Sequence, residues 1–409
     1  MSPIDSKIDK LIYNLKNKEN HFTVYNKYLE RNSKKSFWIY KNILLTKLDL
    51  TKKNFINDHF YSSRKLNKIK KMSSLINAKI NQSSLNNETK IEIKDIIKAI
   101  NNFYFFSSKE KFFFDLIQNN NFRDKIGKYG KCLIDLLSEI ISNSNLNDKS
   151  YQFVKSNLLN SKESNDYILL KLKTDGFFKL DEKIDNFVIE KILDIFKEEN
   201  YINNENYGKQ ISRKFLKESV LYKSEEIWKI WLDEGLLNIA QKFFNTSPIL
   251  DYIVGLESFP YEEKLVDRRH EDIKYHYDAS RIKTLKIVIY LSDVENLKHG
   301  PYSHVSGSYN SDPYSISFDN GFDDEQILRK YGKERIKNLY GKKGSIFLVD
   351  PSFIHRGTSV TEGNRKVIQL TYCNSLFGDK IYKKYKLNDK ILDIFYKESN
   401  NNYLKQKFT

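Results

Sequence analysis

Seven histidines are scattered over 409 residues, yet five of them, His270, His276, His299, His304 and His355, fall within one stretch of 86 residues. Imidazole serves as metal ligand, general base or proton carrier, so this stretch is where chemistry is to be sought. Within it a histidine is followed two residues later by aspartate twice, as His270-Glu271-Asp272 and as His276-Tyr277-Asp278. In an extended chain residues i and i+2 point to one side, so either pair could offer a nitrogen and a carboxylate oxygen to a single ion. A second imidazole from a neighbouring strand would complete a facial set of two histidines and one carboxylate. Such a set leaves three coordination positions open and suits non-haem Fe(II). His355 is the natural third member: it lies 79 residues after His276, just past the Gly-led run GSIFLVD and a Pro-Ser turn. Ten residues further on, Arg365 opens the run RKVIQLTY, where its planar fork could take the far carboxylate of a dicarboxylic co-substrate two-pronged.

Of the two tripeptides the second is preferred. His270 and Asp272 sit in the charged run VDRRHEDIK, the composition of a solvated loop, whereas HYD at 276–278 leads into the strand-like TLKIVIYLSDV. His299, beside Gly300-Pro301, reads as a loop residue, and His304 as strand core or pocket lining. Lys286 shares strand parity with Tyr290, so it either faces the same side as the candidate site or snorkels from a sheet edge.

These residues need a frame of strands to hold them. From 249 onward the chain passes through short β-type segments, LDYIVGLESF, IKYHYDAS, TLKIVIYLSDV, SHVSGSY, GSIFLVD and RKVIQLTYCN, with turn signals at HGPY, DNGF, GKKG and EGN. Helical spacing precedes them in KIDNFVIEKILDIFKEEN (183–200) and SEEIWKIWLDEGLLNIAQKFFN (224–245). Before those, YILLKLKTDGFFKLD (167–181) reads as two extended pieces around a glycine turn. Short strands backed by helices predict an α+β fold with a jelly-roll core, the double-stranded β-helix of cupin-like proteins. One stretch, 310–343, interrupts the strands as an insertion of lid length and carries the helix-like DEQILRKYGKERIKNLYG.

The texture before residue 165 is different. KIEIKDIIKAINNFYFF (90–106) and GKCLIDLLSEIISNSN (130–145) space Ile and Leu for one helix face, and Asn/Ser-rich stretches such as 77–90 separate them as loops. Residues 1–164 contain 30 Lys+Arg against 16 Asp+Glu, a net of +14 out of +16 for the whole chain. Three regions follow: a basic, mainly α-helical accessory region over 1–164, a jelly-roll domain over 165–378, and a helical C-terminal tail over 379–409. The basic region carries no helix-turn-helix, zinc-finger or RNP motif, so nucleic acid is not the expected partner. Two cysteines, Cys132 and Cys373, cannot build a disulfide framework, and charge breaks every apolar run far short of a membrane span. A cytoplasmic protein is expected.

Residues 165–378 resemble the phytanoyl-CoA dioxygenase family of Fe(II)/2-oxoglutarate oxygenases. The resemblance rests on KTDGFFKLDE, HYD, LKIVIYLSDVENLKHGPYSHVSGSY and GSIFLVDPSFIHRGTSVTEGNRKVIQLTY, in the family's order. It implies that His276, Asp278 and His355 ligate Fe(II), that Arg365 pairs with the distal carboxylate of the co-substrate 2-oxoglutarate, and that Tyr290 contributes an aromatic wall to the 2-oxoglutarate pocket. The implied activity is hydroxylation of a small molecule or carrier-linked metabolite with release of succinate and CO₂. Asp278 supports hydroxylation over halogenation, since a related halogenating subgroup has a small residue there. Two positions depart from the family pattern. The strand that usually ends Gly-Ser-His ends here in Gly307-Ser308-Tyr309, and Gly357 stands where a hydroxyl residue often follows the distal histidine by two. The hydroxyl partner of Arg365 is therefore unassigned. Two other readings compete: an inactive jelly roll whose basic N-terminal module binds nucleic acid or another anionic partner, and a cupin-type metal enzyme that does not use 2-oxoglutarate.

Overall fold

The computed structural model describes residues 63–105, 131–145, 164–202, 212–260, 274–278, 281–310, 321–375 and 387–398, with Ser6, Asp9, Ile12, Tyr13, Ser156 and Leu158. Its first helices are α1 (Ser63–Gln82), α2 (Asn87–Phe105) and α3 (Lys131–Asn145). The last two occupy the stretches predicted as helix. Helix α1 runs on through Asn77–Gln82 and α2 begins at Asn87, inside the stretch 77–90 that the Asn/Ser content had marked as loop; Ile69, Ile76 and Ile80, all fully buried, form one stripe that outweighs the polar composition.

The expected extended piece at 167–174 is instead helix α4 (Asn165–Thr174). The side chain of Ser164 caps it by accepting from Tyr167 N at 3.3 Å, and Ile168 and Leu172, four apart, are fully buried. A run such as Tyr-Ile-Leu-Leu suits a strand equally well, and the cap decides. Gly176, at φ +85°, then turns the chain into β1 (Phe177–Lys183); a Cβ there would collide with the rings of His304 and Phe353. Next come α5 (Asn186–Leu193), β2 (Arg213–Phe215) and α6 (Glu218–Leu221). The single helix expected over 224–245 is two, α7 (Glu225–Trp231) and α8 (Glu234–Phe244). Asp233 makes the break, its carboxylate accepting from Gly235 N at 3.0 Å and Leu236 N at 3.1 Å as the cap of the second.

The remaining elements are β3 (Ile249–Ser258), β4 (Thr284–Tyr290), β5 (Tyr302–Val305), α9 (Asp324–Tyr331), β6 (Ile336–Leu339), β7 (Ser345–Val349), β8 (His355–Gly357), β9 (Arg365–Cys373) and α10 (Asp389–Glu398). They form a six-stranded sheet, β1-β7-β4-β9-β3-β2, and a three-stranded sheet, β6-β5-β8, with every pairing antiparallel. Strand β6 arises inside 310–343, so part of the stretch expected to interrupt the strands is itself an edge strand of the small sheet. The fold is thus α+β, built on two antiparallel sheets.

Alternation along the large sheet explains how its strands are buried on both faces. On β4, Leu285, Ile287 and Ile289 pack into a cluster with Trp228, Trp231 and Leu236 of the helices, while Val288 and Tyr290 turn the other way, toward Tyr302 and Leu339 of the small sheet. Each such side chain contributes ~1.5–3 kcal/mol on burial. A further cluster joins Ile and Leu residues of α1, α2 and α3 to Tyr275, Tyr277, Phe353 and Ile354. The helical region therefore packs against residues that flank the candidate ligands. No described helix is long and apolar enough to cross a membrane.

Candidate metal centre

His276 and His355 are held opposite each other by a pair of reciprocal backbone hydrogen bonds, His276 N to His355 O at 2.8 Å and His355 N to His276 O at 2.7 Å. Directly paired residues project to one face, and the two imidazole centroids are 4.6 Å apart. Asp278 is fixed by its own N–H, which donates to Pro351 O at 2.7 Å. Each imidazole has Nδ1 against the carbonyl two residues upstream, Lys274 O at 2.9 Å for His276 and Phe353 O at 2.8 Å for His355. A carbonyl only accepts, so Nδ1 carries the hydrogen and Nε2 keeps a bare lone pair, the tautomer a metal requires. The two Nε2 atoms lie 4.0 and 3.9 Å from the Asp278 oxygens, and the three potential ligand atoms fall within 4.8 Å of one another. Two neutral nitrogens and one carboxylate oxygen converging in this way fit a divalent first-row ion such as Fe(II).

Electrostatics keeps the set ready to bind. Burial alone would raise the Asp278 pKa, but the Lys286 ammonium, 2.5 Å from Oδ2, holds it well below the usual carboxylate range. Burial pushes the His355 pKa well below its ordinary value, so its imidazole is neutral. Lys286 thus faces the site, as strand parity allowed, and engages one carboxylate oxygen while the other faces His276 Nε2.

Arg365 is 5% exposed at the start of β9. It donates through Nη1 to Gly300 O and through Nη2 to Ser258 Oγ at 3.3 Å, while Nε has no partner. Burial first, and Arg213 second, lower its pKa to about 10. Among the described residues no acidic side chain pairs with it. A guanidinium buried without a counter-charge is costly, and a bound anion would offset that cost. Ser258 is the hydroxyl beside Arg365 that motif reading left unassigned; it is 107 positions away in sequence and becomes a neighbour only through strand pairing.

Tyr290 is 1% exposed, and its hydroxyl donates to Leu339 O at 2.8 Å and accepts from Tyr302 N at 3.0 Å. Burial raises its pKa to about 12. The hydroxyl ties the two sheets together, so any part it takes in a pocket falls to the ring. His304 pairs directly with His355 across β5 and β8 but is fully buried, packed near Phe177 and Phe353, which makes it core. His299 ends a single 3-10 turn (Leu297–His299) away from the ligand set, its Nδ1 accepting from Glu295 N at 3.2 Å. His270 and Asp272 lie outside the described residues.

No family model matches the sequence, and no curated protein does. Among solved structures the chain is similar to the non-haem α-ketoglutarate-dependent epimerase SnoN from nogalamycin biosynthesis, at 15% identity over 51% of this chain and 80% of that one, TM-score 0.39. It is also similar to HygX from Streptomyces hygroscopicus with nickel, 2-oxoglutarate and hygromycin B bound, at 16% identity over 55% of this chain and 92% of that one, TM-score 0.37. A third similar structure is the non-haem α-ketoglutarate-dependent carbocyclase SnoK, also from nogalamycin biosynthesis, at 14% identity over 52% of this chain and 84% of that one, TM-score 0.38.

Proposed function

We propose that this protein is a non-haem Fe(II)- and 2-oxoglutarate-dependent oxygenase, akin to the phytanoyl-CoA dioxygenase family and built on a double-stranded β-helix. Its reaction is hydroxylation of a small molecule or carrier-linked metabolite. One observation carries the reading: two Nε2 lone pairs and a carboxylate converge within 4.8 Å, in the same protein that buries a guanidinium with no acidic partner among the described residues. A metal centre and an anion seat together are what a metal-chelating dicarboxylic co-substrate needs.

His276, Asp278 and His355 would hold Fe(II), and Arg365 with Ser258 would hold the distal carboxylate of 2-oxoglutarate. When bound, Fe(II) and 2-oxoglutarate would supply, together with O₂, the oxidising power for C–H hydroxylation, with 2-oxoglutarate converted to succinate and CO₂. The protein's part is placement. The carbonyls of Lys274 and Phe353 lock the two imidazoles in register, and the Lys286 ammonium keeps Asp278 ionised and limits its rotation. Arg365 fixes the far end of the co-substrate, and the apolar cluster around Val288, Phe347 and Val367 excludes water. Asp278 occupies the position that a halogenating relative leaves open, which favours hydroxylation.

Anaerobic loading with Fe(II) and 2-oxoglutarate, followed by O₂, tests the reading through succinate release. Succinate formed in proportion to the bound metal supports it. Tight Fe(II) uptake with no succinate would assign the centre to a metal enzyme of another class.

A further inference from the structure

Arg213, Ser258 and Arg365 form one rung across the edge of the large sheet: Arg213 on β2 pairs with Ser258 on β3, and Ser258 pairs with Arg365 on β9. Directly opposed residues of antiparallel strands project to the same face, so two guanidiniums emerge side by side with a hydroxyl between them. Strand β8 of the small sheet passes in front of this rung. Arg213 Nη2 donates to Gly357 O at 3.3 Å. A Cβ built on Gly357 would sit 3.1 Å from Arg213 Nη2 and 3.2 Å from Arg365 Nη2.

Gly357 follows the candidate ligand His355 by two positions, where the family pattern often has a hydroxyl residue. Here a second guanidinium reaches the space such a side chain would fill. The two like charges flank β3 and repel, and Arg213 contributes, after burial, to depressing the Arg365 pKa. An anion between the two cations reverses the sign of that interaction.

We propose that Arg213 is a second guanidinium of the co-substrate pocket, so that Arg213, Ser258 and Arg365 together hold the distal carboxylate of 2-oxoglutarate in the space that Gly357 leaves open. This rests on the reading of the site as a 2-oxoglutarate centre. It makes the missing hydroxyl at 357 and the arginine on β2 two halves of one arrangement. The rung reads the far carboxylate and is blind to the 2-oxo acid end, so it sets selectivity for a dicarboxylic over a monocarboxylic 2-oxo acid.

Calorimetric titration of the full-length protein, loaded with Ni(II) in place of Fe(II), tests the assignment with 2-oxoglutarate and pyruvate as paired probes. Arg213→Leu should weaken 2-oxoglutarate binding by on the order of tenfold or more, the scale of a lost charge-assisted hydrogen bond, and leave pyruvate binding unchanged. Arg213→Lys should recover part of the loss. Gly357→Val keeps both arginines but fills the space between them, and should produce the same selective loss; pyruvate affinity reports that each variant is folded and metal-loaded. Wild-type affinity for 2-oxoglutarate in Arg213→Leu, with the loss confined to Arg365→Leu, would overturn the role of Arg213 and leave the oxygenase reading intact. Failure of the metal-loaded wild type to bind 2-oxoglutarate would overturn both.

Discussion

The two sheets differ in what their residues are for. In the six-stranded sheet, β4 and β7 are buried along their whole length and β9 nearly so, with Ile, Leu and Val alternating between the helices and the interior. In the three-stranded sheet the strands are three or four residues long, and the one named strand that carries a candidate ligand is only His355–Gly357. The small sheet presents His355, with His276 bridged to it from outside the named strands, and the large one presents the charges, Lys286 and Arg365, that bear on the candidate site. A site assembled this way has long, buried strands on one side and short ones on the other, so packing and chemistry can be probed separately.

Substitutions can test that separation. The largest effect should come from the small sheet: His355→Ala should abolish Fe(II) uptake and succinate formation, and because the change leaves the large sheet untouched, the melting temperature of the metal-free protein should move by no more than a few degrees. Retained stoichiometric Fe(II) binding would remove His355 from the ligand set. Next, Arg365→Leu on the large sheet should weaken 2-oxoglutarate binding by ten- to a hundredfold while Fe(II) binding is unchanged; an unaltered dissociation constant would detach Arg365 from the co-substrate. Third, Ile287→Ala, which touches only the helical cluster, should cost ~2–5 kcal/mol in denaturant unfolding, whereas Lys337→Ala, on the exposed side of β6, should stay within about 0.5 kcal/mol. Comparable losses from both would mean that the Lys337 face of β6 is packed rather than exposed.

A further effect is graded by pH. Burial lowers the His304 pKa to about 3 from a usual value near 6.5. Between those values the unfolded chain binds a proton that the folded chain refuses, so stability is full above about pH 6.5 and falls as pH drops toward 3. The slope is at most ~1.4 kcal/mol per pH unit. His304→Phe should flatten that part of the stability profile, and an unchanged profile would place the acid sensitivity elsewhere.

Local sequence carried the ligand candidates well, because His276 and Asp278 are two residues apart and His355 begins a strand with Arg365 ten residues on. The central strands were readable for the same reason: TLKIVIY and RKVIQLTYC are apolar on both faces, which few other elements tolerate. Strand β6, Ile-Lys-Asn-Leu, was not readable, since four residues with two polar ones have no period to detect, and only pairing with β5 makes them a strand. YILLKLKT and the Leu232-Asp233 break failed differently. There a cap chose between alternatives of similar propensity.

By itself, then, the sequence determined which residues can ligate, which stretches must be buried, and that the excess positive charge belongs to the first 164 positions. Those are properties of residue type and short-range spacing. Tertiary structure alone decided that the two imidazoles present Nε2, that Lys286 holds Asp278, and that Ser258 and Arg213 stand beside Arg365. Each of these depends on register between strands distant along the chain. Register follows from packing whole sheets against one another, and no local pattern encodes it.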